Sequence, residues 1–179
     1  MPLNLIKIYP QLLEILHFDE HQRKASLRRI FDRDVTNNEN FQFLSKVIRP
    51  TKIEGEVDLG RVFHHLTTED EECTNEDGKK YIQRRFEKDR SQRLHWLKVH
   101  IDSGIPEVLE VFSVVERDQR KRKDVIRTYI LNQSEKYVVV LEPQRSGRDY
   151  YLLTAYYLNK KYGLKQLKKK MKKKLDEVL

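Results

Sequence analysis

The sequence predicts an α+β fold in which N-terminal helices lead into one or more helices packed on a four-stranded antiparallel sheet, with a basic C-terminal helix. Three observations carry that expectation. Apolar residues recur at helical spacing through the first fifty positions. Four β-rich segments then follow one another between residues 108 and 158, joined by short charged or turn-like links. The chain closes on GLKQLKKKMKKKLDEVL, where Leu164, Leu167, Met171, Leu175 and Val178 form one stripe and lysines fill the rest.

Taken in order, LIKIYPQLLEIL (residues 5–16) has an apolar stripe that Pro10 either breaks or restarts as a second helix. EHQRKASLRRIFDRDV follows as a helix with Asp19 as its cap. FQFLSKVI, before Pro50, fits a helix or a strand. KIEGEVDLGRVFHHLT reads as short irregular strands or loops, and TTEDEECTNEDG as an exposed, mobile acidic stretch. KKYIQRRFEKDRSQRLHWLKVHID is expected as one helix, with Phe86, Arg90, Leu94, Leu97 and Ile101 at helical spacing and Gly104 as its stop. VLEVFSVV, DVIRTYIL, KYVVVLE and DYYLLTAYYL are the four strands, and their short links argue for a meander. Strict alternation would put Tyr150, Leu152, Thr154 and Tyr156 on one face of the last strand.

A length of 179 residues suits one domain with a small appendage. The net charge of +8 is unevenly spread. Residues 120–179 hold 17 Lys and Arg against 6 Asp and Glu, a net of +11, whereas residues 1–119 are slightly acidic. A segment that basic points to RNA, DNA or an acidic protein partner, or else to a solubilising surface. Cys73 is the only cysteine, so neither an internal disulfide nor a thiolate zinc cluster can form. No apolar run reaches membrane-spanning length and the N-terminus lacks a cleavage signal, so the expectation is a cytoplasmic chain with no membrane partner.

Several chemistries lose support. His64–His65, read on a strand, would point to opposite faces, and no metal-ligand spacing accompanies them or His95 and His100, so no metal is expected. Glycine-rich phosphate loops are absent, which argues against a nucleotide cofactor. No nucleophile elbow occurs, and Cys73 lies in an acidic stretch that would raise a thiol pKa.

What remains is His, Arg, Lys, Thr and Tyr. His95 flanks the apolar stripe of its helix, at a boundary from which it could reach a cleft. Arg127 shares a strand face with Tyr129. A metal-free site of these residue types suits intramolecular RNA cleavage, because the ribose 2′-hydroxyl is itself the nucleophile. The protein then supplies an imidazole to move protons, and fixed cations and hydroxyls around the phosphate. Each residue also has a plain structural reading: His95 as a boundary histidine, Arg127 as a cross-strand ion-pair partner.

The run RLHWLKVHID, FSVVE, RTYIL, KYVVVLEP and DYYLLTAYYL, followed by a lysine-rich helix, resembles small bacterial and prophage-encoded proteins. They form the phage-borne branch of the barnase–EndoU–colicin–RelE nuclease superfamily. EGEVDLGRVFHHLTT and RRFEKDRSQR carry the resemblance upstream, so it spans residues 51–179 and leaves residues 1–50 as a helical N-terminal extension. YYLLTAYYL is its most specific part. The resemblance implies a metal-independent ribonuclease, often a toxin held by an antitoxin or immunity protein. It implies a site of His95, Arg127, Thr154 and Tyr156, with His100, His65 and Lys98 as alternatives to His95. Bases would stack on Trp96 or Tyr129, while Lys98 and the helix lysines Lys165, Lys168, Lys169 and Lys172 would attract the RNA backbone. The link RDQRKRK looks like an insertion relative to the usual tight turn. Two other functions fit the same residues: a nucleic-acid-binding module without catalysis, or a prophage protein docking an acidic partner.

Overall fold

The computed structural model describes residues 3–179 and is built on one mixed sheet. Its strands are β1 (Gln42–Phe43), β2 (Lys46–Pro50), β7 (Glu110–Asp118), β8 (Lys123–Asn132), β9 (Tyr137–Gln144) and β10 (Asp149–Tyr157), in spatial order β1-β2-β10-β9-β8-β7. The four-stranded antiparallel sheet expected from sequence is therefore corrected to six mixed strands. The last four strands run as antiparallel neighbours, but β2 adds parallel to β10, pairing Val47 with Asp149 through Pro50 with Leu152. FQFLSKVI supplies this addition as a hairpin, turned at Leu44 and Ser45 in the left-handed region.

β9 lies inside the sheet, and every residue from Tyr137 to Glu142 is buried. Burial on both faces explains why YVVVL is a continuous apolar run without alternation. One face, carrying Ile130, Val139, Leu141, Tyr150 and Leu152, packs against a helical layer. That layer comprises α1 (Glu20–Phe31), α2 (Leu59–Thr67), α3 (Lys88–Ser91) and α4 (Trp96–Ile101). The other face, carrying Phe112, Val114, Leu131, Val138 and Val140, receives Leu164, Leu167 and Met171 of α5 (Gly163–Met171). Among the described residues no helix is long and apolar enough to cross a membrane.

The N-terminal fifty residues are less helical than their spacing suggests. Only a 3₁₀ turn, Leu3–Ile6, precedes α1. From Leu12 to Leu16 the chain alternates, with Leu13 and Ile15 buried between exposed neighbours, and Leu13 is tied to Gln92 through its backbone N–H at 2.9 Å. Asp19 does cap α1, in a reciprocal arrangement with Gln22. Leu13, Ile15, Leu27, Ile30, Phe31, Phe43 and Ile48 all enter the core of the main sheet.

Four further expectations are corrected, one of them in part. The single helix over residues 79–102 is β6 (Lys80–Phe86) followed by the short α3 and α4. The acidic stretch before it is β5 (Thr68–Thr74), because its carboxylates find cross-strand cations: Asp70 pairs with Arg84 at 2.9 Å and Glu71 with Arg85 at 2.8 Å. KIEGEVDLGRVFHHLT begins with the expected short strands, paired as a hairpin of β3 (Lys52–Ile53) and β4 (Glu56–Val57), but continues as the helix α2. The basic helix stops at Met171, and the chain beyond it returns along β7, where the Leu175 N–H donates to the Ser113 carbonyl at 2.8 Å. Leu175 and Val178 thus lie outside the helical stripe.

The alternation in the final strand is broken as well. The pairing of β10 with β9 slips between Leu152 and Thr154, a bulge in which Thr154 takes the place opposite Val140. Thr154 and Tyr156 are thereby turned to the α5 face with Leu153, away from Tyr150 and Leu152.

Candidate functional site

α5 covers only part of its face of the sheet. The uncovered part is a cleft of about 1090 Å³ floored by β8, β9 and β10. Its walls are α2, the β5–β6 hairpin, α5 and the turn between β7 and β8. Ten Lys and Arg line it against five Asp and Glu, so the cleft attracts anions.

α2 brings the imidazole. Asp58 caps it by accepting from the Arg61 N–H at 2.8 Å, and Val62, Phe63 and Leu66 anchor its apolar side in the core. One turn apart, Arg61 and His65 face the cleft together. Burial lowers the His65 pKa to about 4, aided by the positive charges of Arg84, Arg61, His64 and Arg120. The imidazole is thus neutral at pH 7.

The last turn of α2 leaves carbonyls without intrahelical partners. Arg90 of α3 satisfies that of His65, donating from Nη1 at 2.6 Å, and donates also to the carbonyl of Thr68, just past the helix, at 2.8 Å, a cation at a helix C-terminus. Thr154 Oγ1 donates to the same His65 carbonyl at 3.5 Å. The Arg90 guanidinium also lies 5.7 Å from the centre of the Tyr156 ring. Burial raises the Tyr156 pKa to about 12, which keeps the phenol protonated. Three of these side chains, Arg90, Thr154 and Tyr156, converge on one end of α2.

Farther along the floor lies a neutralised network. Arg127 donates to Glu116 at 3.2 Å and to Asp118 at 3.1 Å. Glu116 also accepts from Tyr129 at 2.9 Å and from Lys170 at 2.6 Å. Arg127 is in the cleft as expected, but its charge is already spent on two carboxylates, the cross-strand reading that its position on β8 also allowed.

The structure does not bring His95 to this place. Its side chain is 4% exposed, outside the cleft lining, in the helical layer on the opposite face of the sheet, beside Arg33 and Gln11. Burial, reinforced by Arg33, lowers its pKa to about 4, and neither ring nitrogen has a hydrogen-bond partner among the described residues. The expected boundary position fails because residues 92–95 form a turn between α3 and α4 and not the continuous helix from which the flank was drawn.

The base-stacking expectations are corrected too. Trp96 is 2% exposed, and its indole N–H donates to the Gln11 carbonyl at 3.2 Å. Tyr129 lines the cleft through its hydroxyl end, but its ring is stacked on Phe112 at 5.2 Å. Lys98 pairs with Asp102 on α4, outside the cleft. His100 is buried between the Trp96 carbonyl at 2.8 Å and Asn132 at 3.1 Å. Lys165, Lys168 and Lys169 project from α5 into solvent, and Lys172 follows just beyond it.

Sequence reading undervalued His65 and missed Arg61, Arg84, Arg90 and Arg120. A signal existed for the first two: Asp58 followed by apolar residues at 62, 63 and 66 is a capped helix, and on a helix Arg61 and His65 share a face. No family model, curated protein or solved structure matches the chain.

Proposed function

We propose that the chain is a ribonuclease whose basic cleft binds a single RNA strand and cuts it without a metal ion, with His65 in the role first expected of His95. The observation that supports this reading is that His65, with a neutral imidazole, lines one anion-attracting cleft together with Thr154 and Arg90, both of which are tied to the His65 main-chain carbonyl. The His65 imidazole takes the proton of the ribose 2′-hydroxyl. The 2′-oxygen attacks phosphorus, the bond to the 5′-oxygen breaks, and that oxygen leaves with a proton donated by the Tyr156 phenol. The products are a 2′,3′-cyclic phosphate and a free 5′-hydroxyl. On binding, the Thr154 hydroxyl turns from the His65 carbonyl, 3.5 Å away, to the phosphate, and the excess cations oppose the charge that builds up there.

A cytoplasmic setting and an acidic antitoxin or immunity partner belong to the same proposal. One observation favours the second reading, RNA binding without cleavage: Arg127 is held by Glu116 and Asp118, so its charge is not free for a phosphate. The test is to incubate purified protein with single-stranded RNA in EDTA and to analyse the ends. Fragments with cyclic phosphate ends support cleavage. RNA that is bound yet intact supports the second reading and overturns the first.

A further inference from the structure

We infer that the β7–β8 turn and the start of α2 form a second phosphate site, in which Arg120 and Arg61 hold the strand on either side of the reacting nucleotide. This rests on the ribonuclease reading and makes the substrate a strand of several nucleotides, in preference to a dinucleotide.

The floor and the rim of the cleft differ in how their cations are committed. On the floor, Arg127 and Lys170 answer to Glu116, and Lys121 reaches Glu142 at 2.6 Å. On the rim, Arg61 and Arg120 are exposed, and neither makes an ion pair or a side-chain hydrogen bond among the described residues. An incoming phosphate has no carboxylate to displace there.

The turn that carries Arg120 is pinned in place. Asp118 Oδ1 accepts the N–H groups of Arg120 and Lys121, both at 2.9 Å, while Oδ2 accepts from Arg127. The Lys121–Glu142 pair fastens the next residue over β9. Arg122 closes the turn in the left-handed region at φ 51°. Arg120 is thus presented over the sheet by a preformed turn, which lowers the ordering cost of binding. Arg61, Arg120 and His65 all line the same cleft. The RDQRKRK link, without a role in the sequence reading, becomes the element that carries this site.

The experiment compares wild type with the double variant Arg61→Ala/Arg120→Ala. A fluorescein-labelled RNA octamer with 2′-O-methyl riboses, which cannot be cut, is titrated by anisotropy over a series of salt concentrations, and cleavage of a dinucleoside monophosphate is followed separately. Loss of two phosphate contacts predicts a salt slope smaller by about 1.4 and octamer affinity weaker by roughly tenfold. Dinucleotide cleavage should change less than octamer affinity, since a dinucleotide carries no phosphate beyond the reacting one. If wild type binds the octamer and the double variant binds it equally well with the same slope, the second phosphate site is overturned and the ribonuclease reading stands. If wild type neither binds nor cuts RNA, the ribonuclease reading itself fails and this inference goes with it.

Discussion

Thr154 Oγ1 donates to the carbonyl oxygen of His65 across 3.5 Å, tying the bulge of β10 to the last turn of α2. Without the bulge, Thr154 would face the buried helical layer, and the hydroxyl would sit on the wrong side of the sheet for the cleft. Thr154→Val keeps the shape of the side chain and removes its hydroxyl. Its expected effect is a fall in kcat of about 10²-fold, as for loss of one donor to a developing charge, with Thr154→Ser retaining most activity. A hydroxyl with only a structural role would leave kcat unchanged and lower the unfolding midpoint.

His95 yields a stability prediction. Its pKa falls from the ordinary 6.5 to about 4 in the fold, so the unfolded state takes up a proton more readily. Stability from its neutral burial is complete above pH 6.5 and is lost as pH falls toward 4. The shift corresponds to about 3 kcal/mol. His65 titrates in the same window, so the comparison must isolate His95. Urea unfolding of wild type and His95→Gln at pH 7 and pH 4.5 does so. The variant should lose less stability between the two pH values, and equal losses would contradict the assignment.

Glu116 neutralises two cations at once, Arg127 and Lys170, and accepts the Tyr129 hydroxyl. Glu116→Gln keeps hydrogen-bonding capacity but frees positive charge inside the cleft. Tighter RNA binding is expected, together with a loss of stability of about 1–3 kcal/mol from partners left unpaired. Anisotropy titrations and urea midpoints measure the two effects, and weaker RNA binding by the variant would count against an anionic ligand.

Trp96 is the only tryptophan and is buried between Tyr9 and Tyr137. RNA bound in the cleft should leave its fluorescence unchanged, whereas unfolding should shift the emission to longer wavelength. Strong quenching on adding RNA would show that the strand passes elsewhere.

The strands of the second half were legible because their β-branched runs are long and bounded by clear turns. The sheet was underestimated because β1 and β2 are short, and a parallel partner for β10 leaves no local signal in FQFLSKVI. β6 was mistaken for helix because KYIQRRF has few apolar residues on either period, and its pairing with the acidic β5 is decided by cross-strand charges. The site suffered from the same errors. Reading α2 as strand separated His65 from Arg61, and extending α4 backward put His95 at a cleft. Arg127, Thr154 and Tyr156 do line the cleft, on the strands whose limits were read best, although the bulge that turns the last two toward it was not visible.

The central claim is tested most directly by the rate of RNA cleavage, in EDTA at pH 7, by wild type, His65→Ala and His95→Gln. Cleavage should fall by at least about 10²-fold in His65→Ala, with RNA still bound, and stay near wild type in folded His95→Gln. Undiminished cleavage by His65→Ala, or loss confined to His95→Gln, would contradict that claim.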